Sequence, residues 1–489
     1  MKYSLLFLLC VLLLFTVGCA KTPTEDIVVN KGEGALEDKI ENSEGEGFVV
    51  DIETTKESDT EDTIDEPDLQ TTFTNASGTV TFNVSAEVSY PDVDSFPVLK
   101  AVRYFLTSDD LRQISTALFG DNPVYEYTEE LSKSDLEKEI LEIRQKIGDR
   151  DYLMEYYQGD EDTIARVIAN YETRLATLEE AYLTAPDVVG NTPSDFSFHE
   201  DSYYVPEYSP SLGIEGILSF KAVSEINGVP MFVWAAQRND NKYQLSNYIC
   251  YVHNVESSKE GSSDIQPIPV TESQVQEAVA LVEKTLSESG LSDWNIHFYE
   301  VIDTRISFIC TPEYYGISMS PDQNYGSLSN DSSFSPSYPY PILKIIVTNG
   351  QITKFDLDGL LEVSEILNEN VALLPYSEIM DRILEQLELT WTETKVRDWV
   401  LNEPSIKPIS ATIDITRIEL TLVRTAVPDE PDNYYILPAW MVYGNPILTE
   451  YEISGYVTEN ADIIRPEPET PLMVVNAIDG SVIDMSQGY

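Results

Sequence analysis

Between residues 80 and 86 every second position is apolar, Val80, Phe82, Val84 and Ala86 alternating with Thr81, Asn83 and Ser85, and a period of two predicts an opening strand with one wet face. The period then lengthens. Leu136, Ile140, Ile143 and Ile147 form a helical stripe opened by Ser134-Asp135-Leu136-Glu137, which reads as a capping box. From about 161 to 182, Ile164, Ile168, Tyr171, Leu175, Leu178 and Tyr182 recur at alternating spacings of four and three, the seam by which one helix meets another. With residues 149–162 as the turn, the two stripes predict an antiparallel helical hairpin; a separate partner protein on the same seam is the alternative.

A connector rich in Pro, Ser, Asp and Tyr occupies 186–210, and beyond it the runs 213–220 and 229–236 flank Asn227-Gly228, the dipeptide of tight hairpins. A further strand is expected over 243–252. Thr271-Glu272-Ser273-Gln274 opens a helix with Val275, Ala278, Val279, Val282 and Leu286 on one face, stopped by Gly290. A strand over 295–310, a loop rich in tyrosine, serine and proline over 311–340, and a hairpin across Asn349-Gly350 follow. The same order recurs from Pro375: a helix bearing Ile379, Ile383 and Leu387, then strands over 413–422, 435–443, 453–457 and 472–478, the last turning at Asp479-Gly480. In the first of these, alternation over Ile413 and Ile415 resumes one residue out of step at Ile418, Leu420 and Leu422, so a bulge near Thr416-Arg417 is expected to keep both sets on the buried face.

The leader changes the picture from a soluble body to an attached one. Lys2, an apolar run from Leu5 to Val17, then Gly18 and Cys19 have the layout of a secretory signal and are too compact for a comfortable spanning helix. Phe15-Thr16-Val17-Gly18-Cys19 resembles the bacterial lipobox, which implies cleavage before Cys19 and lipid attachment, palmitate included, on that thiol; an ordinary signal peptide or a retained anchor helix is the alternative. Buried acyl chains contribute about 0.8 kcal/mol per methylene, so the mature protein is expected to be anchored at the extracytoplasmic face of the cell membrane. From Ala20 to about Gln70 the chain is acidic and nearly free of aromatic residues, the composition of a disordered tether.

The fold class expected is therefore α+β: a helical hairpin plus tandem modules of helix on antiparallel sheet, after a signal peptide and tether. The domains run 1–18 (signal peptide), 19–72 (lipidated acidic tether), 73–260 (α+β with the helical hairpin), 261–372 (first module) and 373–489 (second module). A formal charge of -55, from 85 acidic and 30 basic residues, argues against nucleic acid and anionic headgroups as partners. The expected partners are the membrane, through the lipid, and an exported or envelope protein.

Candidate chemistry is sparse. His199, His253 and His297 stand apart with no pair at metal-ligand spacing. The serine-rich runs hold no nucleophile elbow, no glycine-rich phosphate loop precedes a lysine, and Asp356-Leu357-Asp358-Gly359 lacks the remaining ligands of a calcium loop. Cys250 and Cys310 lie in apolar runs, either as buried thiols or joined as a disulfide. No catalytic residue, metal ligand or cofactor is expected, and carboxylates are too many for an acid–base pair to be singled out. Tyr203, Tyr204, Tyr208, Tyr314, Tyr315, Tyr325, Tyr338 and Tyr340 either form a contact surface for protein or carbohydrate or pin long loops to the sheet.

The helix from Pro375 to Leu389, Tyr434-Tyr435-Ile436-Leu437-Pro438-Ala439-Trp440, and Val474-Val475-Asn476-Ala477-Ile478-Asp479-Gly480-Ser481-Val482-Ile483 resemble the PepSY group and extracytoplasmic regulators of the Gram-positive YycH and YycI type. Most of the mature chain is similar to a family of uncharacterised lipoproteins from gut clostridia. The resemblance implies a non-enzymatic surface lipoprotein that senses or modulates another exported protein; a carbohydrate- or peptide-binding lipoprotein is the alternative. Read from the residues themselves, Trp440 packs between helix and sheet or faces a ligand, and Pro438 fits a strand beginning or edge.

Overall fold

A computed structural model describes residues 35–43, 45, 69–128, 130–157, 161–200, 217–226, 229–238, 248–253, 270–321, 340–401, 403–427, 430–464 and 471–484. The leader with Cys19, and the Asn227-Gly228 turn, lie outside them. In chain order the elements are α1 (Ala35–Asn42), β1 (Leu69–Thr74), β2 (Val80–Ser89), β3 (Val98–Arg103), α2 (Ser108–Phe119), β4 (Tyr125–Glu126), α3 (Lys133–Gly148), α4 (Arg150–Tyr157) and α5 (Glu161–Thr184). There follow β5 (His199–Glu200), β6 (Ile217–Ile226), β7 (Val229–Arg238), β8 (Tyr248–His253), α6 (Glu272–Glu288), β9 (Trp294–Ile302), β10 (Arg305–Tyr314), β11 (Ile317–Ser318), β12 (Ile342–Thr348), β13 (Gln351–Asp358) and β14 (Leu361–Asn368). The chain ends with α7 (Tyr376–Thr390), α8 (Glu393–Val400), β15 (Lys407–Val427), β16 (Glu430–Ile453), β17 (Tyr456–Ile464) and β18 (Met473–Asn476).

Among the described residues these strands form two sheets. One runs β1-β2-β15-β16-β3-β14, with β17 and β18 also on β16; the other runs β11-β10-β12-β13-β8-β7-β6-β4, with β5 on β6 and β9 on β10. Each has its own core. On the first, α7 lays Ile379, Ile383 and Leu387 against Phe82, Ile413, Leu420 and Trp440; on the second, α2 and α6 lay Leu111, Ile114, Val282 and Leu286 against Phe220, Phe308 and Phe355. Burial of such side chains contributes about 1.5–3 kcal/mol each. The fold class is α+β, as the periodicity predicts, with helices on sheets whose pairings are antiparallel except for that of β2 with β15.

The boundaries expected at 260/261 and 372/373 do not follow the sheets. β3 and β14 are neighbours in one sheet, with Arg103 opposite Leu361, so everything from Tyr104 to Leu360 is an insertion between two adjacent strands. The two units are nested, not consecutive. This nesting also accounts for the pairing of β2 with β15, which is parallel: parallel neighbours need a long crossover, and here the whole inserted unit supplies it.

The helical hairpin forms as expected, but the segment expected as its turn, 149–162, holds the further helix α4. α3 buries Leu136, Ile140 and Ile143 against α5, and cross-helix pairs of Arg144 with Glu179 at 2.6 Å and Arg174 with Glu139 fix its register. Its N-cap is Ser132, whose hydroxyl and Asp135 form the box, two residues before the expected Ser134 and Glu137; Asp135 reaches back as well as glutamate does. Thr271 and Gln274 cap α6 as predicted.

Other differences have local causes. The strand expected over 295–310 is a hairpin, β9–β10, turning at Asp303 with φ +54°, and the strand expected over 453–457 is split by Ser454 and Gly455, both at positive φ. Pro438 lies inside β16, not at its edge. It sits where β16 changes partner, from β3, whose ladder ends at Ile436, to β18, whose ladder begins at Ala439, so the missing N–H interrupts no ladder on that side. The tether expected over 19–72 contains α1, with Ile40 1 % exposed in the core of the first sheet. Asn368 donates to the carbonyls of Ile40 and Ser43 at 2.7 and 2.8 Å, which offsets the ordering cost that its acidic composition alone could not. No helix among the described residues is long and apolar enough to cross a membrane.

Candidate functional site

Two places in the fold combine exposure with specific chemistry. The first follows from the length of β15 and β16. β2 accompanies β15 only from Ala411 onward, so Lys407–Ser410, the end of β16 and the start of β17 project as a three-stranded ribbon, with Lys407 opposite Glu452 and Ile453 opposite Tyr456. Tyr456 is 77 % exposed, and Val457, Ile453 and Ile409 are also open to solvent. Tyr456 pairs with Ile453 and Val457 with Glu452, so apolar side chains emerge on both faces of the tip. Among the described residues β17 pairs with β16 alone. A sheet edge of this kind can accept a further strand, and an apolar tip is a docking feature.

The second place is the seam between the units. Where the chain leaves β3 and returns to β14, Tyr104 donates its amide to the Leu360 carbonyl at 3.0 Å, and a cleft of about 340 Å³ opens, lined by Tyr104, Asp110, Asp293, Trp294, Tyr314 and Glu362 among others. Asp110 is fixed first by the backbone: as the N3 residue of α2 it accepts from the Thr107 amide and hydroxyl at 2.7 and 2.6 Å. Its Oδ2 also accepts from the Tyr104 hydroxyl at 2.7 Å. Burial and this carboxylate push the Tyr104 phenol up to about 12, and burial, with Asp293 nearby, pushes Tyr314 to about 12. Both phenols therefore stay protonated at neutral pH and serve as donors. An indole, two phenols and several carboxylates equip the cleft to hold a polar ligand by stacking and hydrogen bonds.

The residues marked out in the sequence are scattered. Cys19 lies outside the described residues, as do Tyr203, Tyr204, Tyr208, Tyr325 and Tyr338. Tyr314 lines the cleft, Tyr315 is exposed at a positive-φ turn, and Tyr340 is buried with the Arg424 guanidinium 4.0 Å from its ring; the same guanidinium lies 4.4 Å from the Tyr434 ring. Tyr340 thus pins the end of its loop. Trp440 packs between helix and sheet, its ring 6.0 Å from that of Tyr376 on α7. Cys310 is a buried free thiol pushed up to about 12 by desolvation. Asp356 to Asp358 belong to β13, where Lys354 pairs with Asp356 at 2.7 Å, so they form no loop. His253 ends β8, and His297 is half-buried. His199 meets Asp195 and Glu126 at the surface, a convergence that sequence spacing could not show because Glu126 comes from another strand.

No protein-family model matches the chain, and no curated protein matches it significantly. Two solved structures are similar to it. An uncharacterized protein from Eubacterium rectale ATCC 33656 shares 13 % identity at a TM-score of 0.37, over 83 % of this chain and 91 % of that one. The Bacillus megaterium YpeB C-terminal domain shares 9 % at a TM-score of 0.22, over 59 % and 86 %. At these scores neither likeness bears on fold or activity.

Proposed function

We propose that this chain is a non-enzymatic lipoprotein, held by lipid on Cys19 at the extracytoplasmic face of the cell membrane, that senses or modulates another exported protein by capturing an extended segment of it. The observation that carries the contact is the β15–β16–β17 ribbon, which among the described residues offers an open strand edge beside exposed Tyr456, Val457 and Ile453. Main-chain hydrogen bonds to an added strand supply affinity, and the tip side chains supply selectivity. With a formal charge of -55 on the chain, the captured segment is basic, since complementary charge steers encounter and like charge opposes it.

A photo-crosslinking residue at position 456, used on intact cells, is expected to yield one reproducible adduct with an exported protein. The adduct should vanish when Val457→Asp and Ile453→Asp are added, while circular dichroism is unchanged. Absence of any reproducible adduct from protein that is fully surface-retained would remove the reading. Retention itself is tested separately: Cys19→Ala is expected to release the protein into the medium.

The cleft at Tyr104, Trp294 and Tyr314 favours a second reading, a carbohydrate- or peptide-binding lipoprotein. Glycan or peptide titration that quenches tryptophan fluorescence, with the response lost in Trp294→Phe, would select it over the first.

A further inference from the structure

We propose that Glu126, Asp195 and His199 form a divalent transition-metal site, with zinc as its occupant, on the surface of the inserted unit. One ligand atom from each lies within 4.8 Å of the others, at a cleft of about 180 Å³ that Lys221 also lines. Three backbone constraints place them there. Glu126 is held in β4 by its amide donating to the Thr192 carbonyl at 2.8 Å and by pairing with Ala222 of β6. His199 is held in β5 opposite Ser219 of the same β6. Asp195 is held by the turn between them: the Ser194 amide donates to the Val124 carbonyl at 3.0 Å, and Phe196 adopts φ +60°.

That left-handed phenylalanine is the informative residue. A bulky side chain there is disfavoured, and its ring is anchored inward, 6.0 Å from Phe220 and 5.2 Å from the Arg112 guanidinium. Turning Phe196 into the core rotates the neighbouring Asp195 outward onto the side of His199. The Ser197 amide then donates to Asp195 Oδ1 at 2.8 Å, the kind of outer bond that orients a ligating carboxylate.

Asp195 Oδ1 stands 3.9 Å from His199 Nε2, beyond hydrogen-bonding range. Ligands at about 2.0–2.2 Å from zinc stand roughly 3.3 Å apart, so flexible side-chain ends that already lie within 4.8 Å of one another need draw in by at most about 1.5 Å per pair to close on an ion. A nitrogen and two carboxylates select a borderline cation such as zinc over calcium or magnesium, which take oxygen-only sets. Three protein ligands leave outward positions for water.

The test uses the full mature chain as Cys19→Ala. Calorimetric titration with zinc chloride is expected to show one saturable equivalent, weakened at least tenfold by His199→Ala and by Asp195→Asn, and not displaced by millimolar calcium or magnesium. Cobalt in place of zinc should give the visible absorption of a low-coordinate ion, lost in the same variants. The many surface carboxylates will bind zinc weakly, and the Glu126→Gln, Asp195→Asn, His199→Ala variant sets that background. Lys221→Gln, removing a neighbouring positive charge, is expected to tighten binding several-fold. Zinc binding that is unsaturable, or equal in wild type and His199→Ala when both are folded, overturns the assignment.

Discussion

Gly444 lies opposite Ile415 across the β15–β16 ladder, at the point where the register slips by one residue between Ile415 and Arg417. A Cβ on Gly444 would stand 2.4 Å from the Asp414 carbonyl oxygen and 3.0 Å from the Ile415 Cα. The register against β2 shifts at the same place, but there β2 advances three residues, Val84 to Glu87, while β15 advances two, so β15 carries the extra residue relative to β16 and β2 carries it relative to β15. The bulge in β15 brings Ile413 and Ile415 on one side of the slip, and Ile418, Leu420 and Leu422 on the other, all into the core.

Gly444→Ala is therefore expected to destabilise the protein by about 1–3 kcal/mol, because backbone on both strands must move to admit one methyl group. Urea unfolding with an unchanged slope and a lowered midpoint is the expected result; an unchanged midpoint would mean that the close approach does not exist.

The bulge was legible because an extra residue in one strand is the simplest way for an alternating pattern to shift by one position and stay buried. The hairpin of α3 and α5, the capped start of α6 and the placing of Trp440 were legible on similar grounds: each is a local pattern whose physics is complete within a short window. The nesting of the two units was not. Nothing near Arg103 or Leu361 signals that they pair across the chain between them, and two helix-then-strand orders in succession imitate tandem modules. Likewise Asp195 and His199 are visible as neighbours, but Glu126 joins them only because β4 and β5 both pair with β6. Pair information of this kind belongs to the sheet, not to any segment.

Sheet order also decides the cysteines. β10, which carries Cys310, is separated from β8, which carries Cys250, by β12 and β13. Three strand spacings amount to about 14 Å, well beyond the roughly 4.4–6.8 Å between Cα atoms that a disulfide spans. With its thiol pushed up to about 12 by desolvation, Cys310 holds almost no thiolate at pH 8. In Cys250→Ser, Cys310 is expected to resist thiol reagents in native buffer and react promptly in urea. Rapid native labelling, or a peptide linking positions 250 and 310 in the wild type, would contradict this.

The docking of α1 shortens the leash implied by the sequence. With lipid on Cys19 as proposed, fifteen residues, Ala20 to Gly34, separate it from α1, a span of at most about 55 Å, where the chain from Cys19 to β1 could reach several times further. Ile40→Asp places a charge in the core of the first sheet and should release α1, a cost that the unpaired buried charge makes large for so short a helix. Trypsin cleavage after Lys39 is expected to be slow in the wild type and at least tenfold faster in the variant, with the main unfolding transition little moved. Equal cleavage rates would show that α1 is not held.

His297 sets one component of the acid response. Its imidazole is pushed down to about 4, first by burial and then by the Arg417 guanidinium, which lies 3.7 Å from the Tyr443 ring and donates to Glu419 at 2.5 Å. In the unfolded chain an imidazole titrates near the usual value of about 6.5. Between those two pH values the unfolded state binds a proton that the folded state refuses, so stability rises with pH across this window and is lost as pH falls from about 6.5 toward 4. Below 4 both states are protonated and the contribution is flat. His297→Gln keeps the size and polarity but removes the titration, and the acidic groups that also respond over this range are common to both proteins. The difference between their unfolding free energies should therefore change by up to about 1.4 kcal/mol per pH unit within the window and level off outside it. Parallel curves from pH 7 to 4 would place His297 in water, and with it would go the packing of β9 against Arg417.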